Sequence, residues 1–172
     1  YRKFFTFPVI KCYEKIGFDF KKESFDEVAK EFVTAYKTYS KSNRLHENSI
    51  ETLQFFSQKN MRQIILSVME QKALEKQLEK EKIYDYFSDI IGLNNIYAES
   101  KMENGKEFIV NSKINPKDAC LIGDTFHDYE VARNIGCFCV LIANGHQEIS
   151  TDKVNNDLHI LNKMKEIKNM DM

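Results

Sequence analysis

The sequence lacks the charge imbalance and the long apolar runs that would point to a nucleic-acid or membrane partner. Its 25 basic and 26 acidic residues leave a formal net charge of -1 over 172 residues. Lysine and arginine form no stripe interleaved with aromatic residues, so binding to a polyanion is not expected. The apolar runs are too short to cross a bilayer, and the first residues show no signal-peptide pattern. We therefore expect neither nucleic acid nor a membrane as a partner.

Cysteine patterns that bind metals or build disulfide frameworks are also missing. The four cysteines are Cys12, Cys120, Cys137 and Cys139. They form no CxxC pair and have no histidine at zinc-finger spacing. The last three lie in apolar, strand-like runs, where a free cysteine behaves as a small hydrophobic residue. A redox or metal role for Cys137-Phe138-Cys139 is the alternative, and a reduced, cytoplasmic setting fits the pattern best.

The first part of the chain is rich in aromatic residues and has helical periodicity. Over residues 1–46, the spacing of apolar side chains predicts one helix at 9–16 and a second at 24–39. Ser24 and Glu27 stand in the relation of a capping box at the start of the second helix. We expect the aromatic side chains to pack between helices; the alternative is that some of them face a substrate cleft.

From about residue 47 onwards, helices alternate with short apolar strands. Strands are predicted at 62–67, 89–91, 119–122 and 138–142, with a further short strand at 96–98. Helices are predicted at 49–58, 70–81, 103–112, 127–134 and 158–167. This alternation is typical of a parallel sheet with right-handed crossovers. We therefore predict an α/β fold built on a doubly wound parallel sheet.

One stretch combines a buried strand, a glycine turn and two acids more tightly than any other. The apolar run Ala119–Ile122 stops at Gly123-Asp124, and Asp128 follows as a helix begins. In such sheets the carboxyl ends of the strands converge on one edge, where Ser67 and Lys101 would also lie. A hydroxyl, an ammonium group and two carboxylates together suit a phosphate held against Mg²⁺, which prefers oxygen ligands.

The order of these residues resembles the haloacid dehalogenase-like hydrolases, and among them the phosphoglycolate phosphatase-like branch. Ile64-Ile65-Leu66-Ser67 is similar to the second motif of that family, and Tyr97-Ala98-Glu99-Ser100-Lys101 to the third. The stretch from Leu121 to Asp128 is similar to the fourth. The resemblance implies a Rossmann-like core over residues 47–172 and a partial helical cap over residues 1–46.

The resemblance also implies a role for each candidate site residue. Ser67 would hydrogen-bond the phosphoryl group, and Lys101 would neutralise charge on the nucleophile and the phosphate. Asp124 would bind Mg²⁺, and Asp128 would support the metal site or its waters. Lys106 is an alternative to Lys101, disfavoured because it falls inside a predicted helix. The implied substrate is a small phosphorylated metabolite similar to phosphoglycolate.

The first motif of that family has no counterpart in this sequence. It is a strand that ends in Asp-x-Asp and supplies the nucleophile and the general acid/base. In the family it lies between the strands that end here at Ser67 and Asp124. Without it, these two strands must pair in a new way or leave backbone groups uncovered. We therefore expect the chain to be incomplete at its N-terminus, and these residues alone to be inactive.

Three functions follow from these observations. The first is a Mg²⁺-dependent phosphatase whose nucleophilic aspartate is supplied by upstream residues. The second is a non-catalytic domain that binds a phosphate or a partner. The third is a receiver-like regulatory domain, which the aromatic helical prefix and the order Ser, Lys, Asp-x-x-x-Asp disfavour. The sequence does not separate phosphatase from dehalogenase or phosphomutase chemistry, and it leaves the oligomeric state open.

Overall fold

The computed structural model describes residues 2–40, 44–149 and 158–170. Its helices are α1 (Val9–Lys15), α2 (Phe25–Tyr39), α3 (Ser49–Gln58), α4 (Gln71–Lys80), α5 (Met102–Ser112) and α6 (Phe126–Ile135). Its strands are β1 (Ile64–Glu70), β2 (Asp89–Leu93), β3 (Cys120–Gly123), β4 (Phe138–Ile142) and β5 (Leu158–Leu161). Short 3₁₀ helices cover Tyr84–Tyr86, Pro116–Asp118 and Met164–Asn169. No helix in the described ranges is both long and apolar enough to span a membrane.

The described strands are all parallel and are divided between two sheets. β1 pairs with β2, placing Ile64 opposite Asp89, and the other sheet has the order β3-β4-β5. Within the described residues, β1 and β3 do not pair with each other. The predicted α/β fold with parallel strands is therefore confirmed. The division falls between the strand that contains Ser67 and the strand that precedes Asp124.

The central strand of the larger sheet, β4, is buried on both faces. Cys139 and Leu141 pack in a cluster with Tyr129 and Ala132 of α6. The alternate residues Val140 and Ile142 pack on the opposite side, with Phe56 of α3 and Ile167 of the last 3₁₀ helix. Because successive side chains of a strand point to opposite faces, β4 joins both cores. This three-layer arrangement fixes α6, and with it the turn after β3.

The smaller sheet is irregular at the carboxyl end of β1. Its register shifts between Leu66 and Glu70, where the carboxamide of Gln71 donates to the carbonyl of Ile90 at 3.0 Å and accepts from the amide of Gly92 at 2.6 Å. The side chain of Gln71 thus makes the hydrogen bonds to β2 that a backbone group of β1 would otherwise make. Beyond the shift Glu70 pairs with Leu93, so β1 continues to Glu70, whereas the sequence predicted an end at residue 67.

The helical N-terminal region confirms part of the packing expected for its aromatic residues, while Phe4, Phe32 and Tyr39 are exposed. Tyr13, Phe18, Phe20 and Phe25 form a cluster of edge-to-face and stacked rings with centroids 5.2–6.5 Å apart. The predicted capping box at Ser24 is wrong, because its side chain makes no capping hydrogen bond. The acidic residues of the first turn stabilise the start of α2 instead, through the helix dipole.

Two other predicted elements differ from the structure. The strand predicted at 96–98 is a loop: Asn95 accepts a hydrogen bond from the amide of Tyr97, and Ala98 has a φ of 48°, which interrupts an extended run. The helix predicted at 158–167 is instead β5 followed by a 3₁₀ helix. Leu158–Leu161 lies in parallel register with β4, where its apolar side chains are covered.

Cys120 of β3, Cys137 just before β4 and Cys139 of β4 are partly or fully buried, which gives a testable expectation. Burial, and secondarily its neighbour Cys137, raises the pKa of Cys120 to about 12, and burial also raises the pKa values of Cys137 and Cys139. Because the thiolate is the reactive form, we expect iodoacetamide to label Cys120 and Cys139 at least about a hundredfold more slowly in the native than in the denatured protein. Mass spectrometry of a labelling time course measures this. Rapid native labelling of Cys139 would contradict it.

Candidate active site

The turn after β3 forms the centre of the candidate site. Thr125 is the N-cap of α6, and its hydroxyl accepts from the amide of Asp128 at 3.4 Å. The Asp128 carboxylate in turn accepts from the amide of Thr125 at 3.0 Å, which completes a capping box. The apolar strand, the turn and the capped helix therefore hold Asp124 and Asp128 at the carboxyl end of β3.

Asp128 is a buried carboxylate with every oxygen engaged by the protein. Its Oδ2 accepts from the amides of Asp124 and Thr125 and from the Thr125 hydroxyl, at 3.1, 3.0 and 2.8 Å. Its Oδ1 lies 2.5 Å from Nζ of Lys101, with only 7% of the Asp128 side chain exposed. Burial alone would raise the pKa of Asp128, but the Lys101 charge and these hydrogen bonds outweigh it and lower the pKa.

Lys101 connects the two sheets. It immediately precedes α5, and its side chain is 13% exposed. Besides its ion pair with Asp128, its Nζ donates to the carbonyl of Leu66 in β1 at 3.1 Å. Lys106, the alternative from the sequence, is 40% exposed and pairs with Glu103 along the surface of α5. The structure therefore brings Lys101, and not Lys106, to the carboxylates.

Asp124 has a carboxylate oxygen that is open to a ligand. Its Oδ2 accepts from the amide of His146 at 2.6 Å. Within the described residues, its Oδ1 has no hydrogen-bond partner. A half-exposed carboxylate with one uncommitted oxygen fits Mg²⁺, which commonly takes one or two protein carboxylates and keeps several waters. Both oxygens of Asp128 are already engaged, which suits the supporting role rather than direct binding.

Two glycines allow these carboxylates to approach the backbone. A Cβ atom at Gly123 would lie 2.3 Å from Cγ of Asp128, and one at Gly145 would lie 2.2 Å from Oδ2 of Asp124. Real Cβ atoms do not come so close to other atoms. Any residue with a side chain at Gly123 or Gly145 would therefore clash with the carboxylate next to it. The close packing of the site thus depends on both the β3 turn and the loop after β4.

Ser67 lies inside β1, at the register shift before Glu70, and touches neither carboxylate among the described contacts. Its hydroxyl oxygen accepts from the amide of Met69 at 3.1 Å, which leaves its hydrogen available for donation. Lys101 binds the carbonyl of the preceding residue, Leu66. Lys101 thus contacts the residue directly before Ser67, and the joint role of these two residues in holding one phosphate stays a prediction.

Aromatic rings from the start of the chain border this site. The ring of Phe5 stacks on that of His146 with centroids 5.4 Å apart, and Phe7 packs on His127 at 4.7 Å. The two phenylalanines also contact each other edge to face at 5.3 Å. His127 and His146, for which the sequence indicates no chemical role, thus join the site to the N-terminal segment.

Sequence reasoning missed several residues that shape the site. The capping role of Thr125 was detectable, because Thr125 and Asp128 have the spacing of a capping box. Gly145 and Gln147 gave no local signal. Gln147 accepts from the amide of Phe126 at 2.7 Å and donates to the carbonyl of Phe5 at 3.0 Å. Contacts between residues so distant in the chain depend on the fold.

Comparison with known proteins shows which family this sequence is similar to. A family model described as haloacid dehalogenase-like hydrolase matches residues 1–142. No curated protein resembles the sequence closely enough to count as a match.

Several solved structures share the fold at low sequence identity. A predicted phosphatase from Clostridium acetobutylicum has a TM-score of 0.75 at 19% identity, covering 98% of this chain and 78% of that protein. A haloacid dehalogenase-like family protein from Streptococcus pneumoniae has a TM-score of 0.67 at 22% identity, covering 91% and 78%. A predicted phosphoglycolate phosphatase from Haemophilus somnus has a TM-score of 0.67 at 21% identity, covering 80% of this chain and 62% of that one.

Proposed function

This chain belongs to the haloacid dehalogenase-like hydrolase family, and we propose that it carries the phosphate-binding and metal-binding half of a Mg²⁺-dependent phosphatase. The proposed substrate is a small phosphorylated metabolite similar to phosphoglycolate. The domain division stays part of the proposal: residues 1–46 would act as a cap over a core formed by residues 47–172.

The contact between Lys101 and Asp128 is the observation that carries the proposal. A lysine 13% exposed and an aspartate 7% exposed meet at 2.5 Å, and the same ammonium group reaches β1. Desolvating the two charges of such a buried pair costs free energy, so the need to stabilise the fold does not by itself explain why the pair is there. A buried carboxylate whose pKa is lowered by a neighbouring cation is, in contrast, common in functional sites. On this proposal, Lys101 would offset negative charge on a phosphoryl group bound near Ser67.

Asp124 would bind the metal ion directly, and Asp128 would support it from behind. When bound, Mg²⁺ would polarise a phosphoryl oxygen and offset the charge that develops on it. Asp128 holds the amides of Asp124 and Thr125 in place, and so keeps the Asp124 side chain at the carboxyl end of β3. The remaining ligands would be water and the substrate, which agrees with the preference of Mg²⁺ for keeping part of its hydration shell.

We further propose that the nucleophilic aspartate lies on a strand between β1 and β3. Each of these strands has one described neighbour, β2 and β4 respectively, so each presents an edge toward the other sheet. Exposed edges readily pair with another strand. An aspartate at the end of such a strand would lie between Lys101 and Asp124. There it could attack the phosphorus and break the ester P–O bond, so that the alcohol of the substrate leaves and an aspartyl phosphate forms; water would then hydrolyse it to free aspartate and phosphate.

An assay of two chains tests this function. A chain extended by the genomic sequence that precedes Tyr1 is expected to hydrolyse p-nitrophenyl phosphate with Mg²⁺ and to lose this activity in EDTA. Residues 1–172 alone are expected to show no turnover, because they supply no nucleophile. A panel of small phosphate esters that includes phosphoglycolate then defines the substrate. An extended chain without Mg²⁺-dependent turnover would overturn the proposal and favour the alternative, a non-catalytic phosphate-binding or partner-binding domain.

A further inference from the structure

The loop after β4 contacts both the metal-site turn and the first residues of the chain. The backbone amide of His146 donates to Asp124, while its ring stacks on Phe5. The carboxamide of the next residue, Gln147, contacts the amide of Phe126, the first residue of α6, and the carbonyl of Phe5. Two adjacent residues thus join the proposed metal ligand, the start of α6 and the N-terminal segment.

The orientation of the Gln147 side chain follows from its partners. The amide of Phe126 can only donate and the carbonyl of Phe5 can only accept, so Oε1 must face Phe126 and Nε2 must face Phe5. The backbone of this loop adds contacts to Arg2, whose guanidinium donates to the carbonyls of Ala143 and Gln147 at 2.5 and 3.3 Å. The amide of Glu148 donates back to the carbonyl of Arg2 at 3.3 Å.

We propose that Gln147 is a positioning residue: its carboxamide fixes residues 2–7 against the Asp124 turn and so places Phe5 and Phe7 as a wall of the substrate pocket. This rests on the proposed phosphatase function, since it assigns the leaving-group side of that pocket. Phe5 and Phe7 pack on the two histidines that flank the turn. Rings held in this way would contact the organic part of a phosphate ester and leave the phosphoryl group to Ser67 and Lys101.

Amide hydrogen exchange in the 172-residue chain tests the positioning role without catalysis. The Phe126 amide reports the Oε1 contact, and the Glu148 amide reports docking of the N-terminal segment. In Gln147→Glu the carboxylate still accepts from Phe126 but no longer donates to Phe5. Exchange at Glu148 is therefore expected to rise about fivefold while Phe126 stays protected, since one net hydrogen bond is worth about that factor.

Two further variants complete the exchange experiment. Gln147→Ala removes both contacts, so exchange is expected to rise at both amides. Gln54→Ala, on the exposed surface of α3, is the matched control and is expected to change neither. Gln147→Glu replaces one group by another of the same size, so it keeps the test decisive if the alanine variant fails to fold. Unchanged exchange at Glu148 in Gln147→Glu would overturn the proposal.

In the extended chain, the same variant distinguishes an effect on substrate binding by the pocket wall from an effect on the chemical step. Gln147→Glu is expected to raise KM for a bulky phosphate ester about fivefold with kcat nearly unchanged, because uniform substrate binding is lost. A fall in kcat with constant KM would contradict a role in positioning the pocket wall. If the extended chain shows no phosphatase activity at all, the proposed function fails, whereas the exchange experiment still decides whether Gln147 positions residues 2–7.

Discussion

Replacing Lys101 by methionine is expected to lower the free energy of unfolding by about 3 kcal/mol or more. The substitution keeps most of the aliphatic stem but leaves the Asp128 carboxylate, 7% exposed, without its cation. Breaking a buried ion pair by removing one partner costs about 3–5 kcal/mol, because the remaining charge is uncompensated. The link from α5 to the Leu66 carbonyl is lost as well. Urea denaturation followed by circular dichroism measures the change.

Lys106→Met provides the matched control for that experiment. Lys106 also pairs with an acid, but its side chain is 40% exposed and its partner Glu103 is 82% exposed. An exposed pair of this kind contributes only about 0.2–1 kcal/mol. Equal losses in Lys101→Met and Lys106→Met would therefore show that the Lys101 pair is not buried as the structure has it.

A double variant isolates the interaction between the two charges. Asp128→Asn can keep the hydrogen bonds from Thr125 while it removes the buried charge. Combined with Lys101→Met, it is expected to recover much of the lost stability, because no uncompensated charge remains. Additive losses in the double variant would contradict coupling between Lys101 and Asp128.

Local signals in the sequence were sufficient for the elements that carry the candidate site. An apolar run closed by Gly123 predicts β3, and Gly136 with a positive φ ends α6 where the periodicity stops. Asp124, Asp128 and Lys101 could be grouped because the carboxyl ends of parallel strands converge. The sequence therefore indicated that Lys101 and Asp128 would meet, but not that Ser67 would touch neither carboxylate, nor which oxygen of each carboxylate would remain open to a metal.

Elements whose structure depends on contacts between residues far apart in the sequence could not be predicted from local signals. The run Leu158-His159-Ile160-Leu161 suits a helix or a buried strand equally by composition, and it became β5 because β4 offers an edge for it. Gln71 and Gln147 are ordinary polar residues in the sequence, and their contacts with Gly92 and Phe5 exist only after folding. Ser24 shows the converse error, because a correct spacing formed no capping hydrogen bond.

Replacing Asp124 by asparagine is expected to lower the Mg²⁺-dependent turnover of the extended chain about a thousandfold. Asparagine has nearly the same shape and can still accept from the amide of His146, but it lacks the charge that would hold a cation. A bound metal contributes several kcal/mol to stabilising the charge of a transition state, which corresponds to that factor in rate. Initial rates over a range of Mg²⁺ concentrations measure the effect.

The same substitution should leave folding almost unaffected, which separates a binding role from a structural one. Without Mg²⁺, the unfolding free energy of Asp124→Asn is expected to stay within about 0.5 kcal/mol of the original chain, since the capping box of Thr125 and Asp128 is intact. A ligand that binds only the native state raises the melting temperature. Millimolar Mg²⁺ should therefore stabilise the original chain and the exposed-site control Asp85→Asn, but not Asp124→Asn. Full turnover in Asp124→Asn would show that Asp124 does not bind the metal. The lack of a hydrogen-bond partner at its Oδ1 atom would then need another explanation.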